Sequence, residues 1–184
     1  MVRLAKPAAP AVAGGDGTLR MRPVPELDRL RYNPVELADI KLQAGSEAPL
    51  PDVHGDSIEL CIEMQPPAAG RFGVKVLCSP DGSEHTTITC DPAAGQLIVD
   101  TRKSGEGPTC VEAAPFKLAE NELLLLNIFI DKSFVEAFAN DRQAIVQRVY
   151  PTRRDSTGVV LFSQACATEV PLVQAWEMMP SNPW

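Results

Sequence analysis

From Leu123 to Pro151 the chain reads LLLLNIFIDKSFVEAFANDRQAIVQRVYP, and this stretch narrows the possible folds more than any other. Leu123 to Ile130 is an apolar run rich in strand formers, and Asp131-Lys132 is a polar break. Ser133 to Phe138 is a second run, Ala139 to Arg142 is a turn carrying Asn-Asp, and Gln143 to Tyr150 is a third run. Three short runs separated by turn chemistry predict a β-meander. A two-residue loop at Asp131-Lys132 would pair Ile128 with Val135 and Leu126 with Ala137 on one face. On the other face it would bring Phe129 to Phe134 and Leu125 to Phe138. A three-residue loop would shift these partners and leave the alternation intact. A hairpin apolar on both faces predicts a covering layer on each side, because a half-solvated antiparallel sheet alternates apolar with polar.

The remainder of the chain extends the same pattern. Leu37 to Gln43 reads as a strand and Gly45 to Asp56, rich in Pro and Gly, as a loop. In Ser57 to Met64, Ile58, Leu60, Ile62 and Met64 oppose Ser57, Glu59, Cys61 and Glu63, which predicts one core face and one solvated or polar face. Further strands are read at Phe72 to Cys78, Glu84 to Cys90, Gln96 to Asp100, Gly158 to Gln164 and Val170 to Met178, with a short one at Thr109 to Val111. Pro25, followed by Glu26 and Asp28 with Arg31 late, predicts a short helix. About eleven short strands after one helix predict an all-β, two-sheet antiparallel sandwich of the jelly-roll or concanavalin-like kind, with a closed barrel as the alternative. The expected organisation is a flexible tail over residues 1–17, a linker over 18–34, the sandwich over 35–179 and a C-terminal tail over 180–184.

Composition excludes several classes of function. A net charge of −7 argues against nucleic acid and against an anionic membrane surface as partners. The apolar runs all fall short of the roughly 20 residues that span a bilayer. The five cysteines, Cys61, Cys78, Cys90, Cys110 and Cys166, are scattered without a C-x-x-C, and His54 and His85 are isolated, so no metal or other cofactor is expected. The thiols read as small buried hydrophobes of a reducing compartment, with a Cys61–Cys78 bridge as the alternative. The first residues lack the unbroken apolar core of a signal peptide, so a cytoplasmic location is expected.

NIFIDKSFVEAFANDRQAIVQRVYP resembles the C-terminal β-sandwich module of family 32 glycoside hydrolases, the invertases, levanases and inulinases. Asp131, Ser133, Val135, Glu136, Phe138, Asn140, Tyr150 and Pro151 match its signature in order. FGVKVLCSPDGSEHTTITCD, GQLIVDTRKSG and VQAWEM extend the likeness, and DGTLRMRPVPELDRLR resembles the junction between the family's catalytic propeller and its sandwich. The resemblance implies that the chain begins within the propeller's last element. It also implies that the catalytic carboxylates lie in Trp-x-Asn-Asp-Pro-x-Gly, Arg-Asp-Pro and Glu-Cys motifs on the propeller, and this sequence holds none of the three.

No catalytic residue is therefore expected here. Asp131 and Glu136 are the tempting pair, since glycosidases use two carboxylates roughly 5 to 9.5 Å apart. Asp131 reads instead as a turn residue bonding its own backbone, and Glu136 as a polar contact between Phe134 and Phe138. The expected role is an accessory module that stabilises or assembles an enzyme, partnered by a propeller domain or by further copies of itself. Phe129, Phe134 and Glu136, with Leu27 and Leu30 of the linker helix, are the candidate interface. The alternatives are a self-sufficient module binding fructose-containing saccharides and a part of an active glycosidase. For sugar contact, Trp176 and Tyr150 are the candidates, although Trp176 reads as facing the core.

Overall fold

The structure is a computed structural model that describes residues 12–13 and 19–181. Most of the tail read over 1–17, and the end of the chain from residue 182, lie outside the described residues. Two short strands, β1 (Val12–Ala13) and β2 (Leu19–Arg20), pair with each other and precede a 3-10 helix at Pro25–Leu30. Pro25 fits the first turn of that helix because its missing N–H is one that no helical carbonyl would receive. Twelve strands then follow: β3 (Arg31–Leu42), β4 (Ser46–His54), β5 (Ser57–Met64), β6 (Phe72–Cys78), β7 (Thr86–Asp91), β8 (Gln96–Asp100), β9 (Val111–Pro115), β10 (Leu124–Asp131), β11 (Phe134–Ala139), β12 (Gln143–Arg148), β13 (Gly158–Ser163) and β14 (Thr168–Met178).

They form two six-stranded antiparallel sheets, ordered β12-β11-β10-β5-β14-β3 and β4-β13-β6-β7-β8-β9, packed as a sandwich. The expected all-β, two-sheet architecture is what forms. Leu60, Ile62, Met64, Leu124 and Ile128 of the first sheet share one buried core with Phe72, Val74, Ile88, Leu97 and Leu161 of the second. Each such side chain contributes on the order of 1.5–3 kcal/mol by leaving water. The sheets also meet along one margin, where Gln143 Nε2 donates to the Pro115 carbonyl at 3.0 Å and Cys110 Sγ to Gln147 Oε1 at 3.2 Å.

Gly45 to Asp56, read as a loop, contains β4, and β3 starts at Arg31, ahead of the Leu37 start expected. Pro34, Pro49 and Pro51 mislead a local reading, but β3 and β4 are edge strands, where a missing N–H can face away from the ladder. The meander β10-β11-β12 is present, with its hairpin loop at Lys132-Ser133 and its register moved accordingly. Ile130 faces Val135 and Ile128 faces Ala137, while Phe129 faces Glu136 and Phe138 faces Asn127. The turn sits one residue later because Lys132 is held from outside: its N–H donates to the Asp56 carbonyl and its Nζ to Asp56 Oδ1, each at 2.6 Å, with φ at 54°. Asp131 is therefore the last residue of β10, between Ser57 and Phe134, and not a turn residue.

All five thiols are free, and Cys61 and Cys78 lie on different sheets. Burial pushes the Cys78 and Cys90 thiols up to about 12. Among the described residues no group of three potential metal ligands is assembled, and no helix is long and apolar enough to cross a membrane.

Candidate functional site

The first sheet turns its second face outward, and the strand registers order the side chains there into rows. One row runs Val146, Glu136, Phe129, Glu59, Trp176 across β12, β11, β10, β5 and β14. The next runs Ala144, Phe138, Asn127, Cys61, Gln174. Phe134, flanked by Arg148, and Leu125 stand beyond these rows on the same face. The β10, β11 and β12 part of the face is open and carries exposed apolar side chains beside the charged Glu136 and Arg148: Leu125 is 44% exposed, Phe134 44% and Val146 53%. Phe129 is half-buried and meets the Phe138 ring edge-on, with centroids 6.4 Å apart.

The other side of the face is a closed polar knot. Glu59 is 0% exposed although it points away from the core. Its carboxylate accepts from Arg31 Nε at 2.8 Å, from Arg31 Nη2 at 2.7 Å and from Asn127 Nδ2 at 3.1 Å. The Arg31 guanidinium lies 4.3 Å from the Trp176 ring centroid, a cation–π geometry, and also pairs with Asp28 at 2.9 Å. Bonding to Glu59 holds Arg31 above its ordinary pKa. Burial, with the charge of Glu59 adding to it, pushes the neighbouring Cys61 thiol up to about 11. Asn127 Oδ1 is buried and meets no hydrogen-bond donor among the described residues.

Arg31 follows the 3-10 helix directly, so this knot fastens the linker segment to the sheet. Glu59 is one of the residues expected on a solvated or polar face; it lies on that face among polar partners, and its complete burial rules out only the solvated form of the expectation. Arg31, Glu59 and Asn127 escaped the sequence reading because Arg31 and Glu59 lie 28 residues apart and no local pattern signals their meeting. Trp176, expected to face the core, lies half-buried beneath Arg31 on the outer face. Its local strand shifts register at Ala175/Glu177, and Ala175 points inward in its place. Leu27 and Leu30 are half-buried on the 3-10 helix.

The remaining site residues are spread out. Tyr150 lies 5.2 Å from the Arg148 guanidinium, which is also 5.8 Å from Phe134, and its ring faces Gly107. Asp131 and Glu136 project from β10 and β11 on the outer face, and burial, with the charges of Asp56 and Glu136, raises the Asp131 carboxyl against the pull of Lys132. The other signature residues build the hairpin. Asn140 Oδ1 accepts from the Leu125 N–H at 2.9 Å, while its Nδ2 donates to the Leu123 carbonyl at 2.8 Å and to Glu122 at 3.0 Å. Val135 and Phe138 are buried.

These features agree with comparison to known proteins. The sequence model described as glycosyl hydrolases family 32 C terminal matches residues 26–177. The chain belongs to this family. It is 28% identical to the levanase of Bacillus subtilis over 172 residues, which cover 86% of the chain and 25% of the levanase. Against the sucrose-6-phosphate hydrolase of Zymomonas mobilis it is 26% identical over 177 residues, covering 91% of the chain and 33% of that enzyme. The family 32 chain thus spans a quarter to a third of these relatives. Fructan 1-exohydrolase IIa from Cichorium intybus has the same fold, with a TM-score of 0.79 at 19% identity over 92% of this chain and 40% of that one. The sucrose-6-phosphate hydrolase of Lactobacillus gasseri superposes with a TM-score of 0.65 at 26% identity, covering 90% and 32%.

Proposed function

We propose that this chain is a non-catalytic accessory module of a β-fructosidase-like enzyme, and that it docks the catalytic propeller domain through the outer face of β10, β11 and β12 and stabilises it there. The observation that carries the reading is the juxtaposition on one face of three exposed apolar side chains, Leu125, Phe134 and Val146, with a knot that buries Glu59 under the linker's Arg31. A linker fixed to this face directs a domain that precedes it towards the same face. Exposed apolar patches of several hundred Å² are uncommon on soluble monomers and mark interaction sites. The fructoside specificity of the assembly rests on the levanase and sucrose-6-phosphate hydrolase relatives. The chain itself holds none of the three carboxylate motifs and is expected to hydrolyse no sucrose, inulin or levan on its own.

A second copy of the chain is the other occupant for which the same face is suited, helped by the free edge of β12. Light scattering coupled to gel filtration separates the two. The chain is to be run alone and with the propeller domain of a family 32 levanase supplied as a separate polypeptide, beside Phe134→Glu. Complex formation lost in Phe134→Glu supports docking, and a dimer of the chain alone lost in the same variant supports self-association. A chain that stays monomeric and ignores the propeller, or a complex indifferent to Phe134→Glu, refutes this face.

A further inference from the structure

The second sheet also has an outer face, and it is concave. A groove of about 600 Å³ crosses it, lined by residues of β6, β7, β8, β9 and β13 and by the start of β4 with the turn before it. That volume falls within the roughly 300–1,000 Å³ of small-molecule sites. We propose that this groove binds a neutral saccharide, and the choice of a fructose-containing one rests on the fructoside reading above.

Charge is the first argument. The groove is lined by the cations Arg71, Lys75 and Arg102, and each already holds a counter-ion of the protein. Lys75 Nζ pairs with Glu47 at 2.5 Å, Arg71 Nε with Asp91 at 2.7 Å and Arg102 Nη2 with Asp100 at 2.6 Å. Arg102 Nε also meets both oxygens of Asp100, at 3.0 and 3.1 Å. A phosphate or carboxylate ligand would have to compete with Glu47 at Lys75 and with Asp100 at Arg102, leaving only the terminal nitrogens of Arg71 open to it, and a cation would have to compete with the basic groups. A ligand without charge displaces neither.

The second argument is what the wall leaves unspent. Thr87 and Thr89 stand two residues apart on β7, both facing the groove and so about 6.8 Å apart along the strand. Gln96 begins β8, where it faces Asp91. Among the described residues nothing in the protein hydrogen-bonds the two hydroxyls or the Gln96 amide, nor the terminal nitrogens of Arg71. Unpaired hydroxyls, an amide and a half-used guanidinium match a partner whose own groups both donate and accept, which is the property of vicinal hydroxyls. Beside them Ile98, Val111 and Ala113 form an apolar flank. Sugar rings carry hydroxyls on their edges and C–H groups on their faces, so one ligand satisfies both walls. Phe162 also lines the groove, but at 5% exposure it presents no stacking platform, so affinity is expected at about the millimolar level.

The test is a titration followed by amide NMR of the whole chain, with inulin-derived fructo-oligosaccharides, with cello-oligosaccharides and with inorganic phosphate as separate probes. Saturable shifts centred on Thr87, Thr89, Gln96 and Ile98 are expected with the fructo-oligosaccharides. Thr89→Val combined with Gln96→Leu should raise the Kd at least tenfold with the circular dichroism spectrum unchanged, whereas Phe134→Glu should leave it as it was. Shifts at the same residues with cello-oligosaccharides alone keep the saccharide groove and refute the fructoside choice. The groove itself is refuted by the absence of saturable shifts, by shifts centred on Trp176 or Tyr150, by tighter binding of phosphate, or by a Kd unmoved in the double variant.

Discussion

Replacing Arg31 by Met tests whether the polar knot holds the linker to the sheet. The substitution removes two of the three hydrogen bonds that Glu59 accepts, at 2.8 and 2.7 Å, and leaves the carboxylate with only the Asn127 amide at 3.1 Å. Breaking a buried ion pair by removing one partner costs about 3–5 kcal/mol. The Arg31 side chain is 24% exposed, so water can enter where the guanidinium was and lower that figure to about 2–3 kcal/mol. For a domain of this size about 1 kcal/mol moves Tm by roughly 2–4 °C, which gives a fall of about 4–12 °C. Replacing both partners by Met leaves no stranded charge, so the double variant should be more stable than Arg31→Met alone, with a coupling energy of at least about 1 kcal/mol. The assay is urea unfolding followed by circular dichroism on the wild type, both single variants and the double, at low and high salt. The loss in Arg31→Met should persist at high salt, because a buried pair is little screened. Additive single effects, or an Arg31→Met within about 0.5 kcal/mol of wild type, would refute the reasoning and reduce the knot to an ordinary surface bridge.

The remaining predictions concern the second sheet's loops and the absence of hydrolysis. Burial works against ionisation of Glu84, but donors from Ser156, Thr152 and the Arg153 N–H outweigh it and hold its carboxyl below the ordinary 4.5. A depressed folded pKa means that this stabilisation is complete above the ordinary value and is lost as pH falls through the folded one. Glu84→Gln should therefore cost about 1–3 kcal/mol at pH 7 and flatten the acid limb of the urea midpoint, and a variant whose acid limb runs parallel to wild type counts against it. Gly105→Ala should destabilise by more than about 2 kcal/mol, since its Cβ would lie 1.9 Å from the Tyr150 carbonyl oxygen at a φ of 102°. Gly82→Ala, also left-handed but with nothing within 4 Å, should lose clearly less, and equal losses in thermal unfolding would contradict the steric account. Purified chain should release no fructose from sucrose, inulin or levan, and turnover abolished by Asp131→Ala or Glu136→Ala would overturn the accessory reading.

How much of this was legible in the sequence follows from the range of each interaction. Strict alternation in Ser57 to Met64 and in the meander is a local property, and it fixes which residues enter the core without knowledge of their partners. Register is less local. The hairpin loop fell at Lys132-Ser133 because Asp56, on another strand connection, captures Lys132, and nothing within the hairpin announces that. β4 was hidden by Pro49 and Pro51, which weigh against a central strand but are admissible at an edge, and edge position is a tertiary fact. The burial of Glu59 and the groove lay beyond reach for the same reason. Thr87 and Thr89 were readable as strand residues, whereas the hollow they face is lined as well by Glu47, Arg71 and Phe162, from separate parts of the chain.

A sandwich has one core and two outer faces, and here the two faces use their charged groups in opposite ways. On the first sheet Glu59 and Arg31 are spent on each other beneath the linker, with Asn127, Asp28 and Trp176 as further partners, so the polar knot on that face is closed to small solutes and the exposed side chains Leu125, Phe134 and Val146 dominate its open part. That composition suits a large partner that excludes water. On the second sheet the ion pairs Lys75 with Glu47 and Arg102 with Asp100 line the groove together with the hydroxyls of Thr87 and Thr89, which no described residue hydrogen-bonds. Such a surface gains little from an apolar partner, which would strand those hydroxyls, and more from a ligand that is itself hydroxylated. The faces are separated by the full thickness of a close-packed core, so a protein docked on one leaves the groove on the other open.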